Sequence, residues 1–303
     1  MLGWRLLVSV ILIPLLFGLF YLDQRAGTSA PYLYGLCCLI IFRGCWELTQ
    51  LLTVRNLKPG YAIVSLLSLL ICSLAWLPYF SDSDAGSAQE SSLALMSVGF
   101  SISILLIFLK GAIRFQEPGQ SMENIGAEIL SVSYLGFLLA ILAELRGVAG
   151  PETGYLALGS LIISAKMGDI GGYTFGRLWG KKKLVPRLSP GKTWVGGFGA
   201  IFGAALGSLL WFQFTPALFN PLWSGSSWLW TILFGAIIGL VGLVGDLCES
   251  LIKRDVGKKD SAELLPGFGG LLDLLDSPLY AGPVAFVLWK LLPLITVVAA
   301  TGN

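Results

Sequence analysis

The sequence predicts an all-α, polytopic integral membrane protein, and three observations carry that prediction. Hydrophobic residues make up 55% of the 303 positions and charged residues 13%, which places the chain in the membrane class. Its apolar runs recur at lengths beyond the roughly 18 residues that mark a spanning helix. The alternation of apolar and polar residues in short strands that a membrane barrel requires is absent.

Nine spans follow, at 4–22, 31–52, 61–80, 92–110, 127–145, 154–178, 194–213, 227–252 and 278–298. The first resembles a signal peptide in having Arg5 ahead of an apolar run. However, Leu6 to Leu22 is long for such a core, and Pro31 follows the only small-residue site, so it reads as an uncleaved span. The second connection carries Arg55 and Lys58, and the fourth Lys110 and Arg114. The sixth carries Arg177, Lys181, Lys182, Lys183, Arg187 and Lys192, and the eighth Lys253, Arg254, Lys258 and Lys259. The odd connections hold only Arg25 and Arg146. Basic residues favour the cytoplasmic side, so the even connections and the N-terminus are expected inside and the C-terminus outside. Gly196, Gly199, Gly203 and Gly207 on the seventh span, and Gly235, Gly239 and Gly242 on the eighth, form small-residue faces suited to close helix packing. The expected organisation is one integrated membrane domain, with residues 1–150 as an N-terminal scaffold and 151–303 as a C-terminal catalytic region.

Composition also excludes chemistry. The chain has no histidine, which removes Ser-His-Asp catalysis, histidine proton relays and His-ligated zinc. Its five cysteines lie in apolar segments without a C-x-x-C pair and read as packing residues. A net charge of +2 carries no signal for nucleic acid, and none is expected as a partner.

Charge is instead concentrated between the last two spans. From Gly245 to Ser277 the chain reads GDLCESLIKRDVGKKDSAELLPGFGGLLDLLDS. On a helix, Asp246, Glu249, Ser250 and Lys253 fall at i, i+3, i+4 and i+7 and share a face; Asp273 and Asp276 are also three apart. Such a chain can gather carboxylates around a divalent cation while basic residues hold phosphates. In the sixth span, Lys166, Asp169, Tyr173 and Arg177 likewise share one helical face. They read either as a structural ion pair or as a second wall of the same site. After it, KKKLVPRLSPGKTW ends like a P-loop but has Pro186 where that motif needs glycine. Ser189, Lys192 and Thr193 beside Gly191 suit phosphate contacts, whereas Lys181 to Lys183 read as the positive-inside signal.

The stretch from Asp246 to Ser277 resembles the signature of the phosphatidate cytidylyltransferases, the CDP-diacylglycerol synthases. Ser250, Ile252, Lys253, Arg254, Lys259, Asp260, Ala262, Leu265, Pro266, Gly269, Gly270, Asp273 and Asp276 stand in register with it. DIGGYTFGR and SPGKTW upstream are similar to the family as well. Two positions depart: Phe268 stands in place of a histidine, and Leu274 in place of the arginine between the two aspartates.

The resemblance implies cytidylyl transfer from CTP to phosphatidate, giving CDP-diacylglycerol and pyrophosphate, at a bacterial cytoplasmic membrane, and it admits a homodimer. It implies Asp246, Asp273 and Asp276 as ligands of magnesium, with a second cation such as potassium. It also implies Lys253, Arg254, Lys259 and Lys192 at the phosphates, with Asp260, Glu249 and Asp169 orienting substrate. Lys166, Tyr173, Ser189, Thr193, Ser250, Gly269 and Gly270 complete the expected substrate site. The alternatives are a related CTP-dependent enzyme acting on another lipid phosphate or a polyprenol, or a membrane paralogue without turnover. Because the aspartates are all present, a working enzyme is expected despite Phe268 and Leu274.

Overall fold

Hydropathy sets most of the element boundaries. The computed structural model describes residues 2–80, 85–148, 154–262 and 269–297. Helices α1 (Leu2–Ala26), α2 (Pro31–Thr53) and α3 (Tyr61–Trp76) match the first three expected spans. Helix α3 continues into a 3₁₀ turn at Leu77–Phe80. Next come α4 (Ala85–Arg114), α5 (Ser121–Val132), a π turn at Ser133–Phe137, α6 (Leu138–Glu144) and a 3₁₀ turn at Leu145–Gly147. Helix α7 (Gly154–Trp179) leads into strands β1 (Lys183–Val185) and β2 (Ser189–Thr193), followed by α8 (Trp194–Phe214) and the short α9 (Pro216–Phe219). Strand β3 (Trp223–Gly225), α10 (Trp228–Asp255), α11 (Leu272–Leu291) and β4 (Ile295–Val297) complete the order. Among the described residues, six helical segments are long and apolar enough to cross a membrane. They are Pro31–Thr53, Tyr61–Phe80, Gly86–Arg114, Ser121–Gly147, Trp194–Phe214 and Trp228–Asp255. The protein is an all-α, multi-pass membrane protein.

The chain divides into two compact units. Unit 1 comprises residues 1–144 and 252–275; unit 2 comprises 145–251 and 276–303. Helices α10 and α11 therefore each contribute to both.

In unit 1 the core is built on Ile41, Leu48, Ile71, Leu135 and Leu139, all buried. Asp23 at the end of α1 accepts from the backbone N–H groups of Tyr32 (3.0 Å) and Leu33 (2.9 Å). It thereby satisfies two of the donors that the start of α2 leaves over. Gly136 lets the π turn approach α3, since a Cβ there would stand 3.0 Å from Ser68 Cα.

In unit 2, glycines bring helix backbones together. A Cβ on Gly171 of α7 would overlap the carbonyl oxygen of Gly199, and one on Gly203 would overlap that of Met167. Gly235 and Gly239 of α10 meet Ala204 and Ala200 of α8 in the same way. These are the small-residue faces visible in the sequence. The hairpin pairs Lys183 with Thr193 and Val185 with Ser189, antiparallel. Thr193 ends β2 and caps α8, its hydroxyl accepting from the Gly196 N–H at 3.1 Å.

The ninth span is displaced from its expected place. Helix α11 begins at Leu272, six residues before the expected Pro278, and stops at Leu291, short of β4. Proline at a first helical position and the charges of Asp273 and Asp276 make a start at Pro278 look natural. Acidic residues are instead favourable in a first helical turn, where they meet the positive end of the helix dipole. Pro278 and Pro283 are carried inside the helix.

Candidate active site

Unit 2 gathers three carboxylates. Asp246 and Glu249 stand one turn apart on α10, and Asp276 lies on α11. One oxygen from each lies within 4.8 Å of the others. Glu249 is 3% exposed and Asp276 7% exposed, while Asp246 is half-buried. Like charges at this spacing repel unless a cation or a proton offsets them. Hard oxygen donors in this number suit a hard divalent cation.

Basic side chains border the group. Lys192 Nζ, on β2, lies 2.8 Å from Asp246 Oδ2. On α7, Lys166 Nζ lies 3.1 Å from Asp169 Oδ2. The Ser277 hydroxyl is 3.4 Å from Asp169 Oδ1 and 3.2 Å from the Gly242 carbonyl oxygen, so it links α11 to α7 or α10 with its single proton. The Ser277 N–H donates to Asp276 Oδ1 at 2.6 Å. Lys166 and Asp169 therefore stand in unit 2 as an ion pair on α7, with Ser277 of α11 beside Asp169. Further along α7, the exposed Arg177 donates to the Tyr173 hydroxyl at 2.7 Å. Ser189 lies in the hairpin, and Ser250 is buried on α10.

Unit 1 holds the rest of the signature. Asp273 accepts from four donors: Lys253 Nζ, the Ser261 N–H at 2.9 Å, the Ser261 hydroxyl at 2.8 Å and the Gly270 N–H at 2.7 Å. Gly269 has φ +94, in the left-handed region, and a Cβ there would stand 2.5 Å from Asp273 Oδ2. Helix α10 stops in a Schellman turn, with Gly257 at φ +71. Lys258 N–H donates to the Lys253 carbonyl at 2.8 Å and Gly257 N–H to that of Arg254 at 3.0 Å. Arg254 turns back onto the Lys258 carbonyl at 3.0 Å, and Lys259 and Asp260 are exposed. Leu274 is half-buried on α11, whereas Leu265, Pro266 and Phe268 lie outside the described residues. The expected metal set Asp246, Asp273 and Asp276 is therefore shared between the units, Asp246 and Asp276 standing with Glu249 in unit 2 and Asp273 in unit 1.

The sequence profile of the cytidylyltransferase family matches residues 3–292. The chain belongs to the cytidylyltransferase family. Relatives include the phosphatidate cytidylyltransferase of Haemophilus influenzae, 27% identical over 292 residues, which covers 93% of this chain and 96% of the relative. The phosphatidate cytidylyltransferase of Pseudomonas aeruginosa is 31% identical over 294 residues, or 95% of this chain and 97% of the relative. The uncharacterised protein YnbB of Escherichia coli K12 is 33% identical over 188 residues, and the alignment spans only 59% of that protein.

A membrane cytidylyltransferase must bring two phosphate-bearing substrates together and offset their repulsion. The arrangement gathers fixed charge: three carboxylates, with Lys192 and Lys166 each beside an aspartate. One residue of the network, Glu47, escaped the reading of the sequence. It is completely buried on α2 and accepts from the backbone of Leu271 (2.9 Å) and Leu272 (3.1 Å). Its signal was available: an acid inside an apolar span, four residues after Arg43, with which it pairs at 2.9 Å.

Proposed function

We propose that this cytidylyltransferase acts on phosphatidate, transferring the cytidylyl group of CTP to form CDP-diacylglycerol and pyrophosphate in phospholipid synthesis. The observation that carries the reading is the alignment over more than nine-tenths of the chain with two relatives bearing that name. Both carboxylate networks fall inside it. The phosphatidate phosphate is ionised near neutral pH, so its oxygen attacks the α-phosphorus of CTP without a base. The new P–O bond forms as the bond to the bridging oxygen breaks, and that electron pair leaves with pyrophosphate. The obstacle is repulsion between anions, which basic side chains and a bound cation would relieve.

Asp246, Glu249 and Asp276 would hold magnesium, and their closely spaced oxygens fit that ion. Bound there, magnesium supplies neutralisation of phosphate charge and alignment of the reacting groups. Lys192 and Lys166, each held beside an aspartate, are the cations proposed to meet substrate phosphates. Asp273, the third aspartate of the family pattern, has its charge offset by Lys253. A second cation such as potassium belongs to the same proposal. The bacterial relatives support placement in a bacterial cytoplasmic membrane, and the reading admits a homodimer.

Phe268 and Leu274, in place of histidine and arginine, favour a second reading, a chain that keeps the fold without turnover. Incubating the purified protein with labelled CTP, phosphatidate and magnesium separates the two. Labelled CDP-diacylglycerol that requires both substrates supports the enzyme; its absence supports the second reading.

A further inference from the structure

Glu47 lies within the last two turns of α2, a helix of mainly apolar residues, and is 0% exposed. The carboxylates and lysines proposed for cytidylyl transfer do not account for it. A charge in such a segment is costly unless it is met, so its partners indicate its purpose. Arg43 and the Leu271 N–H share Oε1, each at 2.9 Å. The Leu272 N–H donates to Oε2 at 3.1 Å, and the Ser261 hydroxyl lies 3.2 Å from the same oxygen and 2.8 Å from Asp273 Oδ2. Leu272 is the first residue of α11, so Glu47 satisfies donors that a helix start leaves without intrahelical partners. Its negative charge also meets the positive end of that helix.

The glycines agree with this picture. A Cβ on Gly270 would fall on Ser261 Oγ and stand 2.5 Å from Glu47 Oε2. The turn has thus been drawn onto the carboxylate more closely than any side chain would permit. Two acids from distant parts of the sequence meet here: Asp273 accepts from Ser261 and Gly270, Glu47 from Leu271 and Leu272, and the Ser261 hydroxyl stands between them.

We infer that Glu47 is a positioning residue for cytidylyl transfer: from α2 it fixes the turn at Gly269–Leu272 and the first turn of α11, and through them the orientation of Asp273. The inference rests on the proposed reaction and deepens it by giving a residue of the N-terminal half a part in the chemistry. Glutamine keeps the size of Glu47 but offers one acceptor oxygen instead of two and turns an NH₂ group toward amide donors. A residue that only held the fold together would lower stability and leave turnover per folded molecule unchanged. A positioning residue changes turnover itself, since misplacement by an ångström costs about 10²-fold in rate.

The test compares wild type, Glu47→Gln and Glu47→Asp for kcat, for KM toward CTP and phosphatidate, and for thermal unfolding. In parallel, the rate of maleimide labelling is measured at Ala262→Cys in a cysteine-free background with and without Glu47→Gln. The expected result is a kcat lower by about 10²-fold in Glu47→Gln with KM little changed, partial recovery in Glu47→Asp, and labelling faster by about tenfold. An unchanged kcat per folded molecule, or an unchanged labelling rate, overturns the inference. If Glu47→Gln fails to fold, Ser261→Ala removes the bridging hydroxyl from the other side. A kcat about tenfold lower then supports the inference, and an unchanged kcat overturns it. A wild type without turnover overturns the reading of the reaction; the labelling comparison then still upholds or overturns the positioning of the turn.

Discussion

Asp276 is 7% exposed and shares a space of 4.8 Å with the carboxylates of Asp246 and Glu249. Burial and like charge together make such a group costly without a cation, which gives the magnesium proposal a readout apart from catalysis. Magnesium is expected to raise the thermal unfolding temperature of wild type, since a ligand at a hundredfold excess over Kd adds about 2.7 kcal/mol. In Asp276→Asn most of that shift should vanish and turnover should fall by at least about 10²-fold, with the protein still folded in chelator. A magnesium shift of wild-type size in Asp276→Asn contradicts the placement of the ion. At this scale the sequence was partly legible. Glu249 could be placed on the face of Asp246 because helical spacing alone puts residues three apart together. Glu47 could not be joined to Ser261, because their proximity spans 214 positions of sequence and no local pattern encodes it.

At the scale of elements, unit 2 depends on α7 lying against α8 at backbone distance. Gly171→Ala should force the two helices apart and lower stability by about 1–3 kcal/mol, measured by thermal unfolding in detergent. Gly126 of α5 is the control, because a Cβ there meets nothing within 4 Å. Gly126→Ala should be neutral or stabilising by up to about 1 kcal/mol, as a helix gains from alanine over glycine. Equal losses in both variants would show that backbone contact is not what holds α7. The glycine faces were legible because their three- and four-residue spacing is a property of one helix. The start of α11 was not, because Pro278 and the neighbouring charges imitate a loop-to-helix boundary. The N–H groups of Leu271 and Leu272 are satisfied by Glu47, a partner that hydropathy does not report.

At the scale of the molecule, the lysine and arginine bias remains the basis for orientation. With residues 181–192 and 254–262 on the cytoplasmic side, single cysteines introduced there in a cysteine-free background should resist an impermeant thiol reagent applied from outside. They should react once the membrane is opened; labelling in intact cells contradicts the orientation. Each of the nine expected spans overlaps a helix among the described residues, where six helical segments are long and apolar enough to cross a membrane. Hydropathy could not show the interleaving. Helices α10 and α11 pass from one unit to the other at 251/252 and 275/276, so the signature stretch serves both. The chain is expected to be a working phosphatidate cytidylyltransferase despite Phe268 and Leu274. The most direct measurement is CDP-diacylglycerol formation by purified wild type, beside Asp246→Ala and the double variant Phe268→His, Leu274→Arg. The expected result is product from wild type that depends on both CTP and phosphatidate and is lost in Asp246→Ala. Folded wild type that makes no product, while the double variant gains turnover, would contradict it.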